Sequence, residues 1–82
     1  MQVEPLADKN GNLVLRVTNR SPAVLRNLRV AAVAPGLSRE VSVAAALRPG
    51  QTVQVPTAIR IADLGSAANS LRGQVRGAEV AD

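Results

Sequence analysis

The sequence predicts an all-β protein, an antiparallel β-sandwich of six to seven short strands. Turn signals recur roughly every eight to twelve residues, and the segments between them alternate apolar and polar side chains with a period of two. No segment keeps the i, i+3, i+4 apolar spacing of an amphipathic helix. Because the alternation leaves one side of each strand polar, we expect antiparallel sheets with one face in water.

Turn signals divide the chain into these segments. They stand at DKNGN (8–12), NRSPA (19–23), APG (34–36), RPGQ (48–51) and DLGSAANS (63–70). The Asn-Gly pair in the first is a strong hairpin signal. In the others, proline fixes φ or glycine supplies a positive φ, so each predicts a turn with a physical cause.

The predicted strands lie between the turns. They cover residues 13–19, 27–33, 39–47 and 51–57, a short run at 59–61, and 70–80. In the last strand the apolar positions change parity at Gly77, which predicts a β-bulge. Pro56 lacks an N–H and is expected on an edge strand. The segment 62–69 is short and contains Gly65, so we expect a loop or a single turn there.

The composition limits the chemistry that the chain can perform. Its 82 residues make one domain, near the lower size limit at which a hydrophobic core is stable without disulfides or bound metal. Because Phe, Tyr and Trp are absent, the core must come from Val, Leu, Ile and Ala. No cysteine is present for a disulfide, and no histidine for a general base. The six carboxylates are scattered, and the one lysine, Lys9, lies in a turn. We therefore expect no enzyme activity, no catalytic residue and no cofactor.

One polar motif has the opening spacing of a calcium loop. Asp8, Asn10 and Asn12 follow the D-x-N-x-N pattern. Leu13 stands where that loop needs glycine, and Asn19 where it needs glutamate. We interpret the segment as an Asn-Gly hairpin turn and expect no metal there. Asn19 also opens a formal Asn-x-Ser acceptor motif, but a proline follows the serine, so we expect this asparagine to end a strand and enter a tight turn.

Arginine dominates the positive charge, and the formal net charge is +4. The candidate interaction face consists of five arginines at outward positions or nearby: Arg16, Arg26, Arg29, Arg72 and Arg76. It forms only if the strands at 13–19 and 27–33 pair, which would place Arg16 and Arg29 on one face. The alternative is an ordinary solvated surface of an arginine-rich protein. Because stacking aromatics are absent, an acidic protein surface or a polysaccharide is the expected anion, and nucleic acid is not an expected partner.

Three stretches together resemble a known class of module. They are LVLRVTNRSPAVLRNLRV, LRPGQTVQV and LRGQVRGAEVA. The pattern is a strand that ends in Val17-Thr18-Asn19, a polar turn, a strand with Leu28 and Val30, and a late hairpin at Leu47–Gln51. Over roughly residues 13–80 it resembles the bacterial immunoglobulin-like modules of the cell envelope, of the FxLYD-like and CARDB-like types.

The resemblance implies a fold, a cellular location and a function. It implies an Ig-like β-sandwich over residues 1–82, a single domain excised from a larger protein of the periplasm or cell envelope. We expect a non-catalytic structural or protein-interaction module whose partner is another domain of the parent chain or a separate protein. One alternative is a regulatory accessory domain that packs on a catalytic neighbour, such as a zinc metallopeptidase. Another is a weak anion-binding module that uses the arginines. No run of about 20 apolar residues is present, so no membrane span is expected, and no signal peptide is recognised.

Overall fold

Six strands and one 3₁₀ segment make up the computed structural model, which describes residues 2–81. The strands are β1 (Gln2–Ala7), β2 (Asn12–Thr18), β3 (Val24–Ala34), β4 (Leu37–Val43), β5 (Thr52–Arg60) and β6 (Arg72–Ala81), and the 3₁₀ segment is Ile61–Ser70. The all-β prediction is confirmed, and six strands lie within the predicted range.

The strands form two antiparallel sheets of three strands each. Sheet A has the order β1-β2-β5, and sheet B has the order β4-β3-β6. The chain passes from sheet A to sheet B between β2 and β3, returns between β4 and β5, and crosses again through the 3₁₀ segment. At the two sides of the sandwich, β1 contacts β6 and β4 contacts β5. The two central strands, β2 and β3, therefore supply most of the core.

The core consists of aliphatic side chains, as the composition requires. Its buried members are Leu13, Leu15, Val17, Leu28, Val30, Ala32, Val43, Leu47, Val55 and Ile59. In β2 and β3 these are the alternate residues that the period-two pattern assigns to one face, so the predicted parity of both strands is confirmed.

The strand boundaries differ from the prediction in several places. β3 begins at Val24 instead of at 27, and the predicted strands 51–57 and 59–61 form the single strand β5. The alternation does not predict β1, whose core-facing positions opposite β2 hold Val3, Pro5 and Ala7 and so lack a clear apolar signal. The predicted strand at 39–47 ends at Val43 instead. Leu47 nevertheless reaches the core, because it forms an isolated bridge with Leu25 through backbone hydrogen bonds of 2.8 and 2.9 Å.

The first crossing between the sheets is fixed by a buried asparagine. Asn19 directly follows β2 and is fully buried. Its Nδ2 donates to the carbonyl oxygens of Ala23 and Leu47, both at 2.9 Å, and its Oδ1 accepts from the N–H and the hydroxyl of Ser21 at 2.9 and 2.7 Å. The prediction that Asn19 ends a strand and enters a turn is confirmed, and its amide nitrogen lies out of reach of solvent.

A register break divides β5. Leu13 pairs with Ile59 and the next residue of β2 pairs with Pro56, so two residues of β5 have no partner position. One of them, Ala58, has a φ of 63°. The other, Thr57, donates its hydroxyl to the Leu13 carbonyl at 2.8 Å, which satisfies the acceptor that the break leaves open. Pro56 lies on an edge strand, as predicted.

The segment after β5 is longer and more regular than the predicted single turn. Residues Ile61–Ser70 form two 3₁₀ pieces joined at Gly65, whose φ of 56° and ψ of −132° interrupt the helical geometry. A side chain is disfavoured at such a φ, so glycine is the residue that permits the kink. Leu64 packs partly against the core. Within residues 2–81, no helix has the length and apolar character to cross a membrane.

Candidate functional site

The outward side of sheet B carries most of the predicted arginines. In β3, Leu28 and Val30 point into the core, so Arg29 between them points to solvent. Antiparallel partners share a face, and Arg29 pairs with Ser42 in β4 and Gly77 in β6. We call the outward surface that contains Arg26, Arg29, Arg72, Arg76, Glu40 and Glu79 the arginine face.

Arg16 does not belong to this surface. It lies in β2, which pairs with β1 and β5 and not with β3. The strands at 13–19 and 27–33 therefore do not pair, so the condition for the five-arginine face is not met and Arg16 does not lie beside Arg29, because the connection after Asn19 takes the chain to the other sheet. On the outward side of sheet A, the Arg16 Nη2 donates to the Glu4 Oε2 at 2.8 Å. This arginine is already held in a charge-assisted hydrogen bond.

The ion pairs of the arginine face are loose by comparison. The Arg26 Nε lies 3.7 Å from Glu79 Oε2, and the Arg29 Nε lies 3.9 Å from Glu40 Oε1. Both distances exceed hydrogen-bond length, and each of the four side chains is at least half exposed. Four arginines and two glutamates leave an excess of positive charge on this face, available to an acidic partner.

Two polar side chains organise the surface. Asn27, which has a φ of 50°, donates its Nδ2 to the Glu79 Oε2 at 2.6 Å. At the other end, the Arg76 Nη2 donates to the Ser38 hydroxyl at 3.2 Å and so connects β6 with β4 across β3. Both contacts orient charged groups along the outside of the sheet.

The predicted bulge lies in the middle of the arginine face. Arg29 pairs with Gly77 while the next residue, Val30, pairs with Val75, so Arg76 is the extra residue of β6. The bulge at Gly77 is thus confirmed. A Cβ at this glycine would come within 2.7 Å of the Arg29 Nη2, so the missing side chain lets the guanidinium lie against β6. Beside it, an open groove of about 740 Å³ is lined by residues that include Asn27, Arg29 and Glu79.

Sequence reasoning missed the partners of these arginines. Glu40 and Glu79 reach the face only because β4 and β6 both pair with β3. The alternation in the sequence indicates that both glutamates occupy outward positions of their strands, but it does not indicate which strands are neighbours. Arg39 is also absent from the prediction; it pairs with core residue Ala32 and is nevertheless exposed, because β4 is an edge strand.

The hairpin between β1 and β2 has the geometry of a turn. The Asp8 Oδ1 accepts from the backbone N–H groups of Asn10 and Asn12 at 2.8 and 2.9 Å, and Gly11 has a φ of 79°. The hydrogen bond from the Asn12 N–H is the main reason that the pKa of Asp8 lies below its ordinary value, and the hydrogen bond from the Asn10 N–H lowers this pKa further. The predicted Asn-Gly turn is confirmed. Among residues 2–81, no group of three or more His, Cys, Asp or Glu could hold a metal ion.

Comparison with known proteins finds no match for this chain. No family model matches the chain, and no curated protein and no solved structure matches it. The resemblance of residues 13–80 to the FxLYD-like and CARDB-like envelope modules therefore stays a prediction that rests on the residues themselves.

Proposed function

We propose that this chain is a non-catalytic, Ig-like protein-interaction module of a larger bacterial envelope protein, and that it docks through the arginine face. One observation carries the proposal: Arg26 and Arg29 keep only loose ion pairs on a sheet face with excess positive charge. The sequence resemblance supports the envelope context. Arginine is enriched at protein interfaces because its planar group makes several directed hydrogen bonds at once.

The mode of action is rigid presentation. Arg26 and Arg29 project from β3, whose other face is packed in the core, so their backbone positions are fixed before a partner arrives. A partner that offers carboxylates could replace the distant Glu40 and Glu79 oxygens with shorter, charge-assisted contacts. Because the scaffold does not reorganise, the entropic cost falls mainly on the arginine side chains.

Two other functions use the same surface. A regulatory accessory domain would dock this face on a catalytic neighbour within the parent chain, such as a zinc metallopeptidase. An anion-binding module would use the arginines against an acidic polysaccharide, and the 3.7 and 3.9 Å separations at Arg26 and Arg29 favour that possibility. The three functions differ in what contacts the face.

Site-specific photocrosslinking in the producing bacterium tests the proposal. A benzophenone amino acid replaces Ser42 or Gln74, both exposed and outward on sheet B, or Gln54 as the matched control on the outside of sheet A. We expect crosslinks to a separate envelope protein from the two sheet B positions and none from Gln54. An intramolecular product supports the regulatory function. Equal crosslinking from Gln54, in variants with native circular dichroism, would contradict docking through the arginine face.

A further inference from the structure

We propose that Gly77 is a positioning residue of the arginine face. Its missing side chain leaves room for the Arg29 guanidinium over β6, which keeps this cation apart from Glu40 and available to an anionic group of the partner. The inference rests on the proposed function and deepens it, because it identifies the residue that controls where one of the docking arginines lies.

The backbone at Gly77 does not itself require glycine. Among residues 2–81, the glycines with a positive φ, where a side chain would be strained, are Gly11, Gly36, Gly50 and Gly65. Gly77 lies within β6 and does not belong to this group. An alanine is therefore compatible with the backbone conformation here, and its effect depends on what its methyl group would contact.

The space over Gly77 is filled by the Arg29 side chain. A Cβ at this glycine would lie 2.7 Å from the Arg29 Nη2, 3.2 Å from its Nε and 3.3 Å from its Cζ. These are the three heavy atoms nearest to that position, and all of them belong to the guanidinium group. The cation therefore occupies the place in which any other residue would put its side chain.

Two register shifts isolate this contact from the regular ladder. Arg29 pairs with Gly77, and the register between β3 and β6 changes on each side of the pair. On one side Asn27 and Leu28 of β3 have a single counterpart in β6, and on the other side β6 has one extra residue, Arg76. The pair lies between two bulges, a geometry that changes the direction of side chains relative to a regular sheet.

Glu40 is the group that would hold Arg29 if it moved. Glu40 belongs to β4, on the other side of β3 from β6, and its Oε1 lies 3.9 Å from the Arg29 Nε, too far for a hydrogen bond. A methyl group at position 77 would displace the guanidinium from β6, and opposite charge would draw it toward β4. The resulting charge-assisted hydrogen bond would compete with the partner's anion for the same N–H groups.

Affinity for a heparin oligosaccharide, measured by calorimetric titration at one fixed salt concentration, tests the role of Gly77. We expect Gly77→Ala to lower this affinity about two- to fivefold, the size of one exposed charge contact. In the Arg29→Gln background, Gly77→Ala should cause no further loss, because the guanidinium that it displaces is already absent. In the matched Arg26→Gln background, it should keep its full effect.

Two results of this titration would overturn the proposal. One is an unchanged affinity in Gly77→Ala, and the other is an equal loss from Gly77→Ala in the presence and in the absence of Arg29. A stability loss in Gly77→Ala as large as that in Gly73→Ala would also overturn it, because the guanidinium would then not have yielded to the methyl group.

The Arg29 side chain reports the displacement directly. NMR measures hydrogen exchange at its Nε–H group, which slows when this group donates a hydrogen bond. We expect slower exchange in Gly77→Ala than in the wild type, and a return to the wild-type rate when Glu40→Gln is added. A merely structural effect of the methyl group would not depend on Glu40. Unchanged exchange in folded Gly77→Ala would contradict the movement toward Glu40.

The outcome is separable from that of the docking proposal. If Arg29→Gln lowers the heparin affinity while Gly77→Ala does not, the role of Gly77 is wrong and docking through the arginine face stands. If Gly77→Ala slows the Arg29 exchange and lowers the heparin affinity, while the two sheet B positions of the crosslinking experiment behave like the sheet A control, the positioning role stands and the protein partner is wrong.

Discussion

Asn19 and Arg29 are both polar residues of the stretch VTNRSPAVLRNLRV, yet the first has a structural role and the second is available for binding. The Asn19 side chain is fully buried and makes four hydrogen bonds within 3.0 Å. The Arg29 side chain is 57% exposed, and its nearest carboxylate lies 3.9 Å away. A polar group removed from water must have its partners supplied by the fold, so it becomes structural, whereas one left in water stays available for binding.

Among the substitutions that test this comparison, Asn19→Ala is expected to have the largest effect on the free energy of unfolding. It removes the Nδ2 group that donates to the Leu47 and Ala23 carbonyl oxygens, and we expect a loss of about 2–4 kcal/mol in the free energy of unfolding. Urea denaturation followed by circular dichroism measures it. Asn27→Gly is the matched control, since it keeps the positive φ and removes an exposed contact. Equal losses in both variants would contradict a structural role specific to Asn19.

Alanine substitutions at two glycines of β6 should give the next largest difference in stability. Gly73→Ala places a methyl group against the Val3 backbone, which cannot move without shifting β1, and we expect a loss of about 1–3 kcal/mol. Gly77→Ala meets only the flexible end of Arg29, so we expect a change within about 0.5 kcal/mol. Urea midpoints of the two variants check the difference. Greater damage from Gly77→Ala would mean that the Arg29 position matters for stability.

Neutralising the outer arginines should change binding with little effect on stability. We expect Arg26→Gln with Arg29→Gln to elute from heparin at lower salt than the wild type, because fewer cations contact the polymer. The free energy of unfolding should change by less than about 0.5 kcal/mol for each exposed pair. Arg16→Gln with Arg60→Gln is the matched control, with the same charge loss on sheet A. Identical elution of the two double variants would remove the support for an anion-binding arginine face.

The smallest effect is expected at the hairpin turn. Because its hydrogen bonds lower the pKa of Asp8 in the folded state, the ionised carboxylate stabilises the fold above the ordinary value of 3.8, and this contribution is lost as the pH falls through the lower, folded-state pKa. Urea midpoints at neutral and acidic pH should fall less in Asp8→Asn than in the wild type. A larger acid loss in Asp8→Asn would contradict the sign.

Local patterns predicted the features that depend on neighbouring residues. The alternation around Leu15 and Val30 identified the core faces of β2 and β3, and the parity change at Gly77 located the bulge. The same patterns could not decide whether Arg16 lies beside Arg29, because pairing between strands depends on where each connection leads. The connection at Asn19 crosses between the sheets, and this separated the two arginines.

By itself, the amino-acid sequence determined that this protein is built of antiparallel strands with an aliphatic core, because side-chain polarity with a period of two and the turn residues act over a few positions. Only the tertiary structure decided which strands share a sheet, that Asn19 is buried, and that Val75 and Val80 remain exposed. Those properties arise from contacts between residues far apart in the chain, which the stacking of one sheet on the other either makes or leaves open.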